Sequence, residues 1–242
     1  MKITVLTTNT IHHKYFIQEI AKHATSVSVV FENNLIKPNF KTNIKFERLR
    51  DNYENKKWFK NKNVNFSKLT NINVTEIKNV ESKKTIKLIN KHKSDFIILF
   101  GVKKLSADFI SKFKKRIFNL HGGDLNNYRG LDSHYWSIYH NDYNGLVTTL
   151  HIASEKLDTG NIVFNKKIKL MKNDKIQYLR KKNTEICVLL TVKLIRCFKK
   201  KIKIISKKTK KSVKYYSFMP TNIKKIVEKK FNLHCKNIHE KI

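Results

Sequence analysis

An amide and an imidazole stand two residues apart in this chain, at Asn119 and His121, directly before Gly122 and Gly123. Residues two apart on a β-strand point to the same side. An amide can donate hydrogen bonds to a developing oxyanion, and an imidazole exchanges protons near pH 7. This pair therefore suits acyl transfer, in which an attacking amine must lose a proton.

A carboxylate follows in the segment Leu157-Asp158-Thr159-Gly160. Asp158 could orient the imidazole of His121 or relay a proton through water. Each motif alone is weak evidence. Asn-x-His is common. Asp-Thr-Gly also occurs in aspartic proteases, but those enzymes need a second Asp-Thr-Gly motif, which this chain lacks. The ordered set is more specific than its parts and predicts a site built from Asn119, His121 and Asp158.

Glycine is concentrated in the same region of the chain. Glycine is favoured where the backbone turns through positive φ or approaches another group closely. We therefore expect the working site between residues 101 and 160, where Gly122 and Gly123 leave room for substrate and Gly160 allows a tight turn. The six glycines are Gly101, Gly122, Gly123, Gly130, Gly145 and Gly160.

The elements around these residues predict an α/β fold. A strand at 2–6, a helix to about residue 23 and a valine-rich strand at 26–31 form a β-α-β opening, which is typical of a parallel sheet. The apolar run 94–100 indicates a central strand covered on both faces. The next strand, 116–120, ends at His121, and ligands of open α/β sheets bind at the carboxyl ends of strands.

The chain changes character after a long amphipathic helix predicted at 174–199. We expect a catalytic domain over 1–200 and a basic extension over 201–242. In this extension, segments 202–206 and 212–217 flank five residues rich in lysine like a β-hairpin, and a helix follows at 221–231. Such a hairpin could pair across a homodimer.

The formal net charge is +34, and it comes almost entirely from lysine. A charge of this size indicates anionic partners. The non-enzyme alternative is that the chain is a basic nucleic-acid-binding protein. The chain has only six arginines, although arginine is favoured for specific phosphate and base recognition. Lysine is also spread along the whole chain beside many Asn and Ile residues. AT-rich codons produce this combination, so the charge can reflect genome composition and not a binding surface. We therefore expect no nucleic-acid partner and a field that attracts anionic substrates.

Cysteine and hydropathy patterns bear on location and metal content. The three cysteines are odd in number and lack CxxC spacing, which favours a reducing compartment and argues against disulfides and zinc. The longest apolar runs, 96–102 and 186–192, are too short to span a bilayer. We expect a cytoplasmic protein without a metal, and peripheral contact with an anionic membrane stays open.

The ordered motifs resemble those of the folate-dependent formyltransferase family. The resemblance covers about residues 94–170 and is carried by 118–121, Tyr128-Arg129-Gly130, 147–151 and 157–162. It implies a Rossmann-like formyltransferase fold, with a mostly parallel twisted sheet flanked by helices. It implies Asn119, His121 and Asp158 as catalytic residues and N10-formyltetrahydrofolate as the formyl donor, without a metal. The residues that would bind folate are Phe100, Gly101, Val102, Leu105 and Asp158.

Three acceptor classes compete within this resemblance. The extension is too short for the β-barrel of methionyl-tRNA formyltransferases, whereas glycinamide ribonucleotide formyltransferases end soon after the long helix. The Gly-Gly pair after His121, in place of the usual proline loop, and the run at 129–136 look most like sugar nucleotide N-formyltransferases. Those enzymes act on dTDP- or UDP-linked amino-deoxy sugars in bacterial lipopolysaccharide O-antigen biosynthesis. A hydrolase or an inactive relative with the same fold also stays open.

A set of glycine, arginine and aromatic residues is expected to bind the sugar nucleotide. The alternative is that the aromatic side chains only pack the extension onto the core. His134, His140 and His151 are expected to make local hydrogen bonds within helices or strands. The expected sugar nucleotide-binding residues are Gly122, Gly123, Tyr128, Arg129, Trp136, Tyr215 and Tyr216.

Overall fold

The computed structural model describes residues 1–34, 37–40, 42, 44–66 and 69–238. The last four residues of the predicted extension, 239–242, lie outside the described residues. Nine strands form within the described part: β1 (Lys2–Thr7), β2 (Ser26–Glu32), β3 (Ile72–Ile77), β4 (Phe96–Phe100), β5 (Ile117–His121), β6 (Arg129–Gly130), β7 (Val147–Ile152), β8 (Ile162–Lys167) and β9 (Tyr215–Tyr216).

Seven of these strands form one twisted sheet in the order β3-β2-β1-β4-β5-β7-β8. The first five are parallel, and β7 and β8 continue the sheet antiparallel. All five residues of β4 are buried, as expected for a central strand covered on both faces. The strand order reverses between β1 and β4, which places a ligand crevice beyond the carboxyl ends of the central strands. The predicted mostly parallel α/β fold is confirmed.

Helices cover both faces of this sheet. Two of them begin at serine caps: the Ser82 side chain accepts from the Thr85 N–H, and the Ser106 side chain accepts from the Phe109 N–H. The α-helices are α1 (Ile11–Ala21), α2 (Ile44–Phe59), α3 (Lys83–His92), α4 (Ala107–Lys112), α5 (Ser133–Tyr139), α6 (Leu179–Lys199) and α7 (Thr221–Lys236), with short 3-10 turns at Tyr143–Gly145 and Ile176–Tyr178.

The core has two layers, one on each side of the sheet. One layer joins β-strand residues such as Val30 and Ile97 to Phe109 and Phe113 at α4. The larger layer joins the opposite face to α1 and α6 and also contains Phe231 of α7. Alternate residues of β4 enter different layers because successive side chains of a strand point to opposite faces. The predicted extension therefore contributes to the main core.

The predicted hairpin of the extension is wrong. Its two arms do not pair with each other: Lys207, the first residue after the first arm, pairs antiparallel with Ile162, and β9 in the second arm pairs in parallel with β6. The connecting sequence, 207–211, has four lysines and no residue that favours a tight hairpin turn. Mutual repulsion of these lysines opposes close pairing of the arms.

No helix formed by the described residues has the length and apolar content needed to cross a bilayer.

The shared core predicts that damage to α7 destabilises the whole molecule. Phe231 is 1% exposed, whereas Leu233 on the same helix is 63% exposed. Phe231→Ala should lower the free energy of unfolding by about 3–5 kcal/mol, and Leu233→Ala should change it by less than about 0.5 kcal/mol. Urea denaturation followed by circular dichroism measures both. A separate early transition in Phe231→Ala, with the main transition unchanged, would show that the extension folds apart from the core.

Candidate active site

The end of β5 carries two of the predicted catalytic side chains, and a loop brings the third. Asn119 and His121 lie two residues apart on this strand, at its carboxyl end. Asp158 lies in the loop between β7 and β8 and has a positive φ of 53°. The loop can fold back this tightly because position 160 is glycine: a Cβ there would overlap the carbonyl oxygen of Ile152.

These three side chains meet in a buried cluster. The Asn119 Nδ2 donates to Asp158 Oδ1 over 3.2 Å, and the His121 Nδ1 lies 3.5 Å from Asp158 Oδ2. His121 and Asp158 are both almost fully buried. The structure thus brings together residues that the sequence placed on two separate motifs.

The hydrogen bonding of His121 determines which of its nitrogens can take up a proton. Its Nε2 lies 3.0 Å from the carbonyl oxygen of Tyr128, which can only accept, so Nε2 carries a hydrogen. Nδ1 is then the basic nitrogen of the neutral ring, and it faces Asp158. A proton taken up at Nδ1 would be stabilised by the adjacent carboxylate.

His151 is a member of this cluster that sequence reasoning missed. Its Nε2 lies 3.0 Å from the Asn119 Nδ2 and 3.5 Å from Asp158 Oδ1, and its Nδ1 donates to the Ile152 carbonyl over 2.9 Å. The expectation of a merely local hydrogen bond was therefore wrong. The missing information was the register of β5 against β7, in which Asn119 and His151 are directly paired.

This arrangement also changes the expectation for Asn119. Both hydrogens of its amide are directed inward, one to His151 and one to Asp158. To donate to an oxyanion, as predicted, the amide must exchange one of these contacts for a substrate oxygen.

The surroundings of Asp158 favour its charged form. Burial alone would raise the pKa of this carboxyl. The nearby His121 and His151 and the N–H of Gly130, which donates to Oδ2 over 3.0 Å, outweigh burial and hold the pKa well below its usual range. Asp158 is therefore a fixed negative charge at the base of the site.

The C-terminal extension supports the loop that carries this carboxylate. Gly130 has a φ of 92°, and a Cβ there would overlap the carbonyl oxygen of Tyr216 on β9. The Leu131 N–H donates to that same carbonyl over 2.9 Å, and the Tyr215 hydroxyl donates to the Leu157 carbonyl. The pairing of β6 with β9 thus fixes the direction of the Gly130 N–H toward Asp158.

A cleft of about 260 Å³ opens on one side of the cluster and contains most of the predicted folate-binding residues. Gly101, Val102, Leu105 and Asp158 line it, together with Asn119, His121 and further apolar side chains. We call it the donor cleft. Phe100 does not line this cleft; its ring packs against His13 and Phe16 beneath it.

A second cleft of about 210 Å³ lies on the other side of His121, and we call it the acceptor cleft. Gly122 lines it together with Arg50 of α2 and Arg180 of α6. Arg180 is neutralised by Glu54, 2.8 Å from its Nε, and by Asp51. Arg50 contacts Asp51 through its Nε and one terminal nitrogen, both at the longer distance of 3.5 Å, and so provides the less compensated positive charge.

The other predicted nucleotide-binding residues are divided among different surroundings. Arg129 is 1% exposed and donates to the carbonyls of Leu125 and Lys210, so its guanidinium holds backbone and does not face a cleft. Gly123 lies close against the His121 ring, where a Cβ would lie 2.7 Å from Nε2.

Four aromatic rings instead form a cluster outside both clefts. Tyr216 contacts the rings of Tyr128, Trp136 and His140, with centroid distances of 5.1–5.9 Å. Tyr128 and Tyr216 also line an outer pocket of about 480 Å³, together with Lys210 and Lys214. Tyr215 is not part of that pocket.

Within the described ranges, no group of three or more His, Cys, Asp or Glu side chains is arranged to hold a metal ion.

Comparison with known proteins identifies relatives of this architecture. A family model described as Formyl transferase matches residues 1–193. Over 106 residues the chain is 35% identical to the bifunctional polymyxin resistance protein ArnA of Wigglesworthia glossinidia brevipalpis, a match that covers 43% of this chain and 16% of that protein. The chain spans less than half the length of the curated relatives it matches.

Two solved structures share the fold at low sequence identity. One is the formyltransferase PseJ of Anoxybacillus kamchatkensis, in complex with UDP-4,6-dideoxy-4-formamido-L-AltNAc and tetrahydrofolate (TM-score 0.51, 20% identity, 90% of this chain and 86% of that chain). The other is the N-formyltransferase of Helicobacter canadensis, in complex with folinic acid and dTDP-3-aminofucose (TM-score 0.56, 18% identity, 90% and 71%).

The electrostatics of Asp158 can be tested directly. Its folded-state pKa is lower than the ordinary 3.8, so its charge contributes stability fully above pH 3.8, and this stability is lost as the pH falls toward the folded pKa. The carboxyl carbon resonance of Asp158, assigned by its absence in Asp158→Asn, should show no titration between about pH 7 and pH 4. A titration midpoint above pH 4 would contradict the charge assignment.

Proposed function

The chain belongs to the formyl transferase family, and we propose that it transfers the formyl group of N10-formyltetrahydrofolate to the amine of a nucleotide-linked amino-deoxy sugar. The observation that carries this proposal is the position of His121, which lines both the donor cleft and the acceptor cleft. A donor and an acceptor in these clefts would present their reacting atoms to the same imidazole. Holding two reactants together in this way removes much of the entropic barrier to their reaction.

The lining of the donor cleft fits a pterin ring system. Leu99, Val102 and Leu105 offer apolar walls to a flat ring, whereas Asn119 and Asp158 supply hydrogen-bonding groups at its base. The folate is a co-substrate here, and the chemistry it supplies is a formyl group on N10. The Asp158 carboxylate is fixed by its partners and so keeps a defined orientation toward that group.

In the proposed reaction the amine nitrogen bonds to the formyl carbon, the bond from that carbon to N10 breaks, the amine loses a proton and N10 gains one. His121 takes up the amine proton at Nδ1, the nitrogen left free by the Tyr128 contact, and returns it to N10. Asp158 stabilises the imidazolium during this step. Asn119 exchanges one of its inward hydrogen bonds for the oxyanion that develops on the formyl oxygen.

Two observations support a sugar nucleotide as the acceptor. Both solved structures described above contain a nucleotide-linked sugar and a folate in their complexes. In this chain the acceptor cleft is large enough for a sugar, and Arg50 places positive charge at its wall, where an anionic diphosphate would bind. Glycinamide ribonucleotide and methionyl-tRNA are the alternative acceptors.

We place the nucleotide across the arginine side of the acceptor cleft. The outer pocket with Tyr216 and Lys214 is a second candidate for the base and phosphates, because it combines aromatic faces with positive charge. Within the proposal the enzyme is cytoplasmic, acts in bacterial lipopolysaccharide O-antigen biosynthesis and has no nucleic-acid partner. The enzyme is also proposed to form a homodimer.

The role of His121 predicts a large loss of activity without loss of fold. His121→Ala should lower kcat for formyl transfer by at least about 100-fold, since the group that moves the proton from the amine to N10 is removed. The measurement is a formyl transfer assay with a panel of dTDP- and UDP-amino sugars, and with glycinamide ribonucleotide and tRNA as competing acceptors. The matched control is His23→Ala on the exposed surface, which should retain activity. Near-normal turnover in folded His121→Ala would contradict the assignment.

The acceptor cleft predicts a selective effect on KM. Arg50→Gln should raise the KM for the sugar nucleotide by about 10- to 100-fold through loss of a charged hydrogen bond, with little change in the KM for folate. Lys214→Gln in the outer pocket removes the same charge and should leave both KM values nearly unchanged. The opposite pattern would move the nucleotide to the outer pocket.

A further inference from the structure

A basic segment with exposed isoleucines follows the long helix α6. In this segment, 200–208, Ile205 is 82% exposed and Ile202 is 54% exposed, although isoleucine is a residue that folded proteins usually bury. All five of its lysines are exposed: Lys200, Lys201, Lys203, Lys207 and Lys208. We call residues 200–208 the lysine–isoleucine segment.

An apolar groove of about 700 Å³ adjoins this segment. Its walls include Ile110 of α4, Phe118 of β5 and Ile204 of the lysine–isoleucine segment itself. The groove also has lysine side chains in its lining, and one carboxylate. These charged residues are Lys114, Lys115, Lys156 and Glu155.

We propose that this face of the molecule binds the surface of an anionic phospholipid bilayer. The isoleucines would enter the boundary between headgroups and acyl chains, and the lysines on both sides would face the anionic headgroups. Exposed apolar side chains surrounded by lysine are the combination that binds such surfaces, because apolar burial and electrostatic attraction add. This proposal does not depend on which acceptor the enzyme uses.

The composition of the face favours a lipid surface over nucleic acid or a second copy of the chain. Residues 200–208 contain neither arginine nor an aromatic residue, so they offer no bidentate phosphate contact and no ring on which a base could stack. A second copy would bring the same lysines against this face, and like charges repel. An anionic bilayer supplies both the opposite charge and an apolar layer.

The face is connected to the loop that carries Asp158. The backbone of Lys207 pairs with Ile162 at the start of β8, and the Thr209 hydroxyl donates to the Thr159 carbonyl over 2.9 Å. The groove also shares Ile110, Ala153 and Ser154 with the donor cleft. Membrane binding would therefore place the active site close to the bilayer surface. There the positive field of the whole protein, with its net charge of +34, meets the anionic headgroups.

The test is sedimentation of the full chain with vesicles of phosphatidylcholine alone or with about one quarter phosphatidylglycerol, at about 0.1 M salt. Binding is expected only to the anionic vesicles. Replacing Lys200, Lys201 and Lys203 with glutamine should lower the partition coefficient about 100-fold, since each lysine near the surface contributes about fivefold. The charge-matched control replaces Lys56, Lys60 and Lys62, which are exposed at the end of α2. Equal losses in both triple variants, or no binding to anionic vesicles, would overturn the proposal.

The apolar part of the proposal has its own test. The double variant Ile202→Ser and Ile205→Ser should bind at least tenfold more weakly, whereas Leu189→Ser and Leu233→Ser, at exposed apolar positions elsewhere, should bind like the unaltered chain. In Ile205→Trp, the added fluorescence should shift to shorter wavelength on anionic vesicles, after subtraction of the native tryptophans. An unshifted spectrum would show that position 205 stays in water, and binding of RNA without binding of vesicles would assign the face to nucleic acid.

Discussion

The buried negative charge of Asp158 is the constraint on which the rest of the site depends. A carboxylate out of water is costly unless charges and hydrogen bonds compensate it. Its partners come from different parts of the fold: Asn119 and His121 from β5, His151 from β7 and the Gly130 N–H from β6. A shift of any of these strands would leave the charge uncompensated. Compensation of the Asp158 charge therefore requires both the observed register of the strands and the observed geometry of the site.

The fold and the grouping of Asn119, His121 and Asp158 were predictable from sequence because their signals are local. Continuous apolar runs such as β4 indicate central strands, and the spacing of Asn119 and His121 places them on one side of a strand. His151 was missed because its role follows from strand pairing, which a single sequence does not specify. Arg129 was expected at a ligand, but its buried guanidinium holds the Leu125 and Lys210 carbonyls instead. Burial of a charged side chain against backbone leaves no periodic pattern in a sequence.

The C-terminal extension is better understood as part of the site than as an appendage. Helix α7 buries Phe231 in the main core, and β9 pairs with the short strand that presents the Gly130 N–H. The expectation of a separate hairpin failed because Lys207, just after the first arm, pairs with Ile162, and β9 in the second arm pairs with β6. Glycine at position 130 allows β9 to pack this closely, because the carbonyl oxygen of Tyr216 on β9 occupies the space that a side chain would need.

The two clefts share only His121, Gly130 and Leu131 in their linings. Each ligand can therefore enter without passing through the space of the other, and neither has to leave before the second arrives. For the proposed reaction, such a layout predicts a random order of binding and a ternary complex, as opposed to a ping-pong cycle in which the protein carries the group between two half-reactions. In the proposed reaction, the separation of the two clefts thus sets the kinetic order, and the single imidazole between them serves both substrates.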